Sequence, residues 1–267
     1  MTVLADIVAA TRRRVAECRS TADLREMEKR AAAHAPRGFR RRLEAAGKSG
    51  IAVIAELKKA SPSRGLIRGD FDPAGLALEL ELAGAAALSV LTDEEYFQGS
   101  LGNLRTASSS TRLPCLRKDF ILDEFQILQA RANSADAVLL IVAALAQAEL
   151  KVLAAKAAEL ELDVLCEVHD AGELQRALDA GCGIVGVNNR DLKTFKVDLG
   201  TALTLAEKIP SDALAVAESG IESGADIARL RGAGYGAFLI GETLMRAARP
   251  GEALRALVAE ALVPAAR

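Results

Sequence analysis

Histidine and cysteine, the residues that most often hold transition metals, are scarce in this chain of 267 residues. The two histidines, His34 and His169, are far apart, and neither has the spacing to another soft ligand that a metal site needs. The cysteines contain no C-x-x-C pair and are too scattered for a disulfide framework. We therefore expect no metal site, and we expect four reduced thiols in the core: Cys18, Cys115, Cys166 and Cys182.

The chain also lacks an excess of charge of one sign and a long apolar run. Lys and Arg number 34 against 36 Asp and Glu, so the net charge provides no general attraction to nucleic acid or to a membrane surface. No apolar segment is long enough and free enough of charge to span a bilayer. The N-terminal residues have neither the apolar core nor the cleavage site of a signal peptide. These absences predict a cytoplasmic protein that binds no nucleic acid and no membrane.

What the chain does have is a repeat of short apolar runs, each followed by a stretch rich in Ala, Leu and Glu. This alternation is typical of βα units that form a parallel sheet. Eight units in a row predict one closed (βα)8 barrel, an α/β fold of the TIM-barrel type, and an open doubly wound sheet is the alternative. The predicted strands span residues 51–57, 86–92, 113–118, 136–142, 162–168, 183–188, 213–219 and 236–241.

The first 48 residues stand outside this repeat and form an N-terminal helical extension of a single domain, residues 1–267. We predict two amphipathic helices joined near Ser20, followed by a turn at 35–38. The segment from Arg12 to Lys48 has 12 basic and five acidic residues. It is either a basic lid over an anionic substrate or a solvated helical face, and composition alone favours the solvated face.

One familiar motif is a chance match. Residues 181–186 fit the dinucleotide-binding pattern G-x-G-x-x-G, but they precede and enter a predicted strand, whereas the motif joins a strand to a helix. The match therefore offers no helix N-terminus to hold a pyrophosphate.

Polar residues end most of the predicted strands, at the end of a barrel where active sites lie. Glu56 and Lys58 are two residues apart at the end of the first strand and so share a face. An isolated charge here usually faces solvent, but repeated charges at equivalent positions predict one pocket with acids and bases suited to proton transfer. The other strand-end residues are Lys118, Glu167, Asn188, Arg190, Glu218 and Ser219. His169 follows the fifth strand, and we favour a role for it at the start of the next helix over substrate contact.

Glycines after strands 7 and 8 predict a phosphate site. Gly220 follows strand 7, and Gly241 and Glu242 follow strand 8 and open a short helix. Backbone N–H groups at such a helix N-terminus bind a phosphate dianion. Each glycine is also explained as an ordinary turn residue. That alternative does not explain why the glycines lie together after strands 7 and 8. The loop after strand 1, which contains Ser61, is a candidate to close over the same phosphate.

Seven segments resemble the signature segments of the indole-3-glycerol phosphate synthase family, and the resemblance runs nearly end to end. Those around Lys58 and Lys118 are the most specific. The resemblance departs at Glu95, where the family more often has lysine before its aromatic pair. The segments are VIAELKKASPSRG (53–65), LTDEEYFQGS (91–100), LRKDFILDEFQI (116–127), CEVHD (166–170), VGVNNRDLKTFKVDL (185–199), VAESGI (216–221) and FLIGETLMR (238–246).

The resemblance implies a carboxy-lyase of tryptophan biosynthesis. Its substrate would be 1-(2-carboxyphenylamino)-1-deoxyribulose 5-phosphate, which is converted to indole-3-glycerol phosphate by ring closure with loss of carbon dioxide and water. The resemblance also places the N-terminal helices over the mouth of the barrel. The metal-independent acid–base chemistry calls for no cofactor, and we expect a monomer or weak homodimer whose partner is a small phosphorylated molecule.

The resemblance further assigns roles to individual residues. Lys118 would be the general acid for ring closure, and Lys58 would pair with the anthranilate carboxylate. Glu56, Glu167 and Lys58 are candidates for the acid and base of dehydration. The supporting residues are Asn188, Arg190 and Glu218 for the sugar hydroxyls and the lysines, Ser61, Ser219, Gly220, Gly241 and Glu242 for the phosphate, and Phe97, Phe120 and Leu139 for the anthranilate ring.

Three other functions compete with this one. Phosphoribosylanthranilate isomerase is also a phosphate-binding barrel. That family has a cysteine and an aspartate at its strand ends, and no cysteine ends strand 1 in this chain. A Schiff-base aldolase would use Lys118 as a nucleophile. A non-catalytic scaffold would leave the charged cluster at the strand ends without a purpose.

Overall fold

Eight parallel strands form a closed barrel in the computed structural model, which describes residues 3–192 and 194–263. The first strand pairs with both the second and the eighth, so the open-sheet alternative is wrong. The predicted strands are confirmed, with ends that differ by one or two residues. They are β1 (Ala52–Leu57), β2 (Ala87–Leu91), β3 (Cys115–Lys118), β4 (Ala137–Ile141), β5 (Asp163–Val168), β6 (Ile184–Asn188), β7 (Leu214–Glu218) and β8 (Ala237–Ile240).

Helices surround the barrel, and several begin at an aspartate whose side chain caps the first turn. Asp72 caps the helix after β1 by accepting hydrogen bonds from the next turn, and Pro73 opens that helix. Asp123 and Asp170 cap later helices in the same way. The helices are α1 (Val3–Thr21), α2 (Leu24–Ala33), α3 (Phe39–Ser49), α4 (Pro73–Leu82), α5 (Glu94–Phe97), α6 (Leu101–Ser110), α7 (Glu124–Ala132), α8 (Gln147–Glu159), α9 (Ala171–Asp179), α10 (Gly200–Ala206), α11 (Gly224–Gly232), α12 (Glu242–Arg246) and α13 (Pro250–Leu262). Within the described residues, no helix combines the length and apolarity needed to cross a membrane.

The core has two layers because side chains of a strand alternate between the two faces of the barrel wall. In β1, Val53, Ala55 and Leu57 point outward into the layer between strands and helices. Ala52 and Ile54 point into the barrel, where they pack with inward residues of the other strands. Because every second residue faces inward, the next inward position after Ile54 is residue 56. The packing of the barrel therefore turns the polar residues at the strand ends toward the barrel axis.

The N-terminal extension has three helices where the sequence predicted two. The first two meet near Ser20 as expected, but α3 follows the 35–38 turn. Its Phe39 and Leu43 are fully buried against Ala52, Ala86 and other residues at the N-terminal ends of the strands. The helices of the extension therefore lie at different places on the barrel. α3 fills the end opposite the active-site end, and α2 packs on α7.

The expectation of four reduced core thiols is wrong in two respects. Cys166 in β5 is joined by a disulfide to Cys182, which lies just before β6. The two sulfurs meet in the layer between strands and helices, although the residues are 16 positions apart in the chain. Cys18 is exposed, so only Cys115 is a buried free thiol.

Candidate active site

One cavity of about 520 Å³ opens at the C-terminal ends of the strands. All fifteen of the site residues that the sequence indicated lie on its walls, so residues as far apart as 56 and 242 are brought together. They are Glu56, Lys58, Ser61, Phe97, Lys118, Phe120, Leu139, Glu167, Asn188, Arg190, Glu218, Ser219, Gly220, Gly241 and Glu242.

Lys118 lies at the centre of the charged cluster on these walls. Its ammonium nitrogen is 2.9 Å from Glu167 Oε2 and 3.6 Å from Glu218 Oε2, and the side chain is only 14% exposed. Asn188 donates a hydrogen bond of 3.1 Å to the other oxygen of Glu167. Burial alone would lower the pKa of Lys118, but Glu167, Glu218 and Glu56 outweigh it and raise that pKa. Lys118 is therefore a charged, oriented ammonium that faces the cavity.

Glu56 and Lys58 form a second ion pair beside the first, with 2.6 Å between Lys58 Nζ and Glu56 Oε1. Burial would raise the pKa of Glu56, but Lys58 and Lys118 lower it below its usual value. A Cβ at Gly241 would overlap the Glu56 carboxyl group, so the glycine at the end of β8 makes room for it. The cavity thus holds two lysines, each with its own carboxylate partner.

Glu218 differs from the other two carboxylates. Burial raises its pKa to about 8, and the charges of Glu167 and Glu56 add to this effect, while Lys118 opposes it. Its Oε1 is buried and makes no hydrogen bond to a described residue. Glu167, in contrast, has its pKa lowered to about 2, because Lys118 and His169 outweigh its burial. Burial and like charges therefore make Glu218 the weaker acid of the two, and Lys118 keeps Glu167 the stronger one, so their pKa values are separated.

Gly186 of the chance G-x-G-x-x-G match has a packing role in this cluster. It lies in β6, and a Cβ there would overlap the Glu218 carboxyl group. Gly181 has φ +79° in the turn before β6. Both glycines are explained without a nucleotide.

The opposite side of the cavity carries arginines around one carboxylate. Glu242, the first residue of α12, lies 2.8 Å from Arg64, 3.4 Å from Arg190 and 3.5 Å from Arg246. Arg64 belongs to a short hairpin after β1, formed by Ala60–Ser61 and Gly65–Leu66, which brings it across the cavity. This wall therefore combines a helix N-terminus with three guanidinium groups and suits an anion.

Apolar side chains line the remaining wall. Phe97 and Phe120 pack with ring centroids 6.4 Å apart, and Leu139 lies among the inward residues of β4. Leu4 and Ile7 of α1 also line the cavity. The first helix of the extension is thus at the mouth of the barrel, where the resemblance places the whole extension.

The basic residues of the extension serve a different purpose from the one that a basic lid requires. Arg14 pairs with Asp93 at 2.9 Å, and Arg37 donates its backbone N–H to buried Asp136 at 2.7 Å. Among the described residues, no Lys or Arg between Arg12 and Lys48 lines the cavity. The basic residues therefore hold the extension to the barrel, and its contribution to the cavity wall is apolar.

Sequence reasoning missed several residues of the cavity walls. Arg64 and Arg246 carry no pattern that separates them from solvated arginines, although Arg64 lies inside the recognised 53–65 segment. Leu4 and Ile7 look like any apolar stripe of an amphipathic helix. His169, assigned to the start of α9, does make that contact through Glu173, but its ring also lies 3.5 Å from Glu167.

Comparison with known proteins settles the family. A model of the family described as "Indole-3-glycerol phosphate synthase" matches residues 4–257. The chain belongs to this family. It is 61% identical over 252 residues to the indole-3-glycerol phosphate synthase of Koribacter versatilis, covering 94% of this chain and 97% of the relative. The corresponding enzyme of Acidithiobacillus ferrooxidans is 50% identical over 257 residues, covering 96% and 98%.

Solved structures of other families share only the fold. A 3-hexulose-6-phosphate synthase matches with a TM-score of 0.63 at 17% identity, over 79% of this chain and 99% of that one. A thiamine phosphate pyrophosphorylase from Pyrococcus furiosus matches with a TM-score of 0.60 at 18% identity, over 82% and 100%. Membership of the indole-3-glycerol phosphate synthase family makes this chain an enzyme, a carboxy-lyase of tryptophan biosynthesis that acts on a small phosphorylated substrate.

Proposed function

We propose that the cavity converts 1-(2-carboxyphenylamino)-1-deoxyribulose 5-phosphate to indole-3-glycerol phosphate with the residues that line it. The observation that carries this proposal is the position of Lys118, an oriented ammonium held by Glu167 and Glu218 on one side of the cavity, with an anion-binding helix N-terminus on the other. A substrate with a carbonyl at one end and a phosphate at the other fits these two walls.

Lys118 is the general acid for ring closure. A ring carbon of the anthranilate attacks the sugar carbonyl, the carbon–carbon bond forms, and the carbonyl oxygen takes the ammonium proton and becomes a hydroxyl. Lys58, beside Lys118 and paired with Glu56, holds the anthranilate carboxylate. When carbon dioxide leaves, the electron pair of the broken bond returns to the ring and restores its aromaticity.

Dehydration then acts on the hydroxyl that Lys118 has just protonated. The groups nearest to Lys118 are the ones that reach this hydroxyl, which favours Glu167 over Glu56 as the base that removes the proton from the neighbouring carbon. The hydroxyl leaves as water after taking a proton from an acid of the cluster. Asn188 orients Glu167 by its hydrogen bond of 3.1 Å.

The phosphate binds between the turn after β7 and the start of α12. Gly220 has φ +76° and a Cβ there would overlap Val197, so the turn itself requires glycine. Ser219, Gly241 and Ser61 complete this wall. Glu242 is a positioning residue here, because it holds Arg190 and Arg64 at the site instead of meeting the phosphate directly.

The wider setting follows the same proposal. Residues 1–267 form one domain, with residues 1–48 as its N-terminal extension, and the chain works in the cytoplasm as a monomer or weak homodimer without a cofactor. Sedimentation of the pure protein across a range of concentrations tests the oligomeric state. A stable higher oligomer would contradict it.

The activity itself is tested with the carboxyphenylamino-deoxyribulose phosphate and the pure protein. Formation of indole-3-glycerol phosphate is followed by the absorbance and fluorescence of the indole ring. Borohydride is added in a parallel reaction to trap any Schiff base. Indole formation with no borohydride adduct on Lys118 supports the proposal, and a trapped adduct would point to the aldolase mechanism instead.

A further inference from the structure

His169 is a partly buried titratable residue in contact with the charged cluster, and the steps above do not use it. It lies two residues after Glu167, in the loop between β5 and α9. We propose that His169, held by Glu173, delivers a proton from solvent to Glu167 and Lys118 in each catalytic cycle. This inference rests on the function proposed above, because it concerns where that reaction obtains its protons.

Charge balance shows that the reaction needs such a supply. The substrate loses a carboxylate as neutral carbon dioxide, so one negative charge disappears. Ring closure takes a proton from Lys118, and dehydration consumes one proton at the leaving hydroxyl and releases one from carbon. One proton must therefore enter from solvent per turnover, or Lys118 remains an uncharged amine that is unable to start the next cycle.

The side chains of this region form a continuous chain toward that lysine. His169 Nδ1 is 3.0 Å from Glu173 Oε2, and His169 Nε2 is 3.5 Å from Glu167 Oε1. The second oxygen of Glu167 is 2.9 Å from Lys118 Nζ. The exposed fraction falls from 17% at Glu173 and 15% at His169 to 2% at Glu167. The chain therefore runs from a partly exposed carboxylate, through the buried carboxylate of Glu167, to the acid that faces the cavity.

The orientation of the ring supports transfer toward Glu167. Glu173 Oε2 also accepts the backbone N–H of His169 at 2.8 Å, which fixes the ring with Nδ1 on the outer side and Nε2 on the inner side. His169 Nε2 is buried and makes no hydrogen bond to any described residue, so its contact with Glu167 is the one place it can give a proton. If the ring served only to begin α9, its contact with Glu173 through Nδ1 would be sufficient.

The charges around the ring set the direction of transfer. Burial would lower the pKa of His169, but Glu173, Glu167 and Glu218 raise it above the ordinary value, which favours the charged form of the ring. Lys118 is the strongest of the groups that lower the pKa of Glu167. Once Lys118 has given up its proton, Glu167 becomes more basic and draws the Nε2 proton from the imidazolium. The neutral ring then carries its proton at Nδ1 and can take up the next one only at Nε2, so a turn of the ring about its Cβ–Cγ bond must bring Nε2 to solvent before the next cycle.

The experiment compares the first turnover with the steady state. His169→Gln keeps a polar side chain but carries no transferable proton, and Gln175→Ala, which changes an exposed residue of the following helix α9, is the control. With excess enzyme, we expect His169→Gln to complete the first turnover at close to the parent rate, because Lys118 starts charged. With excess substrate, we expect a burst of one product per enzyme and then a steady rate on the order of 10-fold lower.

Imidazole added to the buffer separates a proton path from a structural role. We expect it to restore the steady rate of His169→Gln with saturation and to leave Gln175→Ala unchanged, and we expect Glu173→Gln to show a smaller loss. A steady rate equal to that of the parent would overturn the inference. So would an equal loss in both regimes with no effect of imidazole, since a displaced loop would act in that way. Absence of indole formation by the parent enzyme would instead refute the proposed function.

Discussion

Replacement of Lys118 by methionine removes one proton and one charge from the cavity and keeps nearly the length of the side chain. Loss of a general acid costs on the order of 100- to 10,000-fold in rate, or about 3–5 kcal/mol in the activation barrier. The structure favours the upper part of that range. Lys118 is the principal group that holds Glu167 in its charged form, so its removal also raises the pKa of the base.

Lys118→Arg is the matched variant. It keeps the positive charge beside Glu167 and Glu218, but a guanidinium does not release its proton near neutral pH. We expect both variants to lose kcat. Only the methionine variant should also shift the acidic limb of the pH–rate profile upward, because only there does Glu167 lose its cationic partner.

Indole fluorescence measures turnover, and product affinity shows whether the cavity survives the substitution. The reasoning fails if Lys118→Met binds product normally and turns over within a few-fold of the parent. In that case Lys118 is not the acid, and the role passes to Lys58, which lies 2.6 Å from its own carboxylate partner. Loss of both turnover and product binding would mean that the lysine is needed to build the cavity.

Four further predictions follow from single contacts. Burial raises the pKa of Glu218 to about 8, so the folded state keeps a proton that the unfolded state releases above about pH 4.5, and the unfolding free energy falls as the pH rises toward 8. Denaturant unfolding at pH 5 and pH 9 should show a larger fall in the parent than in Glu218→Gln, where only the contribution of other groups such as His169 remains. Arg37→Ala should lower the unfolding free energy by about 3–5 kcal/mol, because the buried carboxylate of Asp136 loses its guanidinium partner. Arg12→Ala, which breaks a half-exposed pair with Glu149, should change the unfolding free energy by about 1 kcal/mol or less. Gly241→Ala should displace the Glu56 carboxyl group and disturb the wall to which the phosphate binds. Calorimetry should then show weaker binding of inorganic phosphate and of product, and unchanged affinities would argue against the phosphate wall. Removal of residues 1–22 should raise KM, because the wall residues Leu4 and Ile7 are lost, and should leave the Tm nearly unchanged. Removal of residues 1–40 should unfold the barrel, because it also removes the buried Phe39.

The barrel and the inward face of its strands were predictable from the sequence. Strand periodicity is a local property: once Ile54 is assigned to the interior, residue 56 must point the same way. The caps at Asp72, Asp123 and Asp170 are likewise local, because each side chain binds backbone N–H groups two or three residues ahead. The polar candidates at the strand ends were identified in this way, whereas Phe97, Phe120 and Leu139 were assigned only through the family resemblance.

The contacts between distant segments were not predictable. Arg37 and Asp136 are 99 residues apart, and neither has a neighbour in sequence that marks it as half of a buried pair. The composition of the basic stretch in the extension favoured a solvated face, but Arg14 and Arg37 pair with acids of the barrel. The disulfide between Cys166 and Cys182 depends on two chain segments meeting outside the barrel wall.

The sequence by itself determined which residues face the barrel axis and which chemistry they are able to perform. Tertiary structure alone decided which of those groups touch, and therefore which are charged. Glu167 and Glu218 lie near the ends of the fifth and seventh strands of the same repeat, yet one has its pKa lowered and the other raised. Lys118 lies 2.9 Å from the first and 3.6 Å from the second, and Asn188 and His169 contact only Glu167. A pKa depends on burial and on distances of a few ångströms, and those are fixed only when all eight strands close into one barrel.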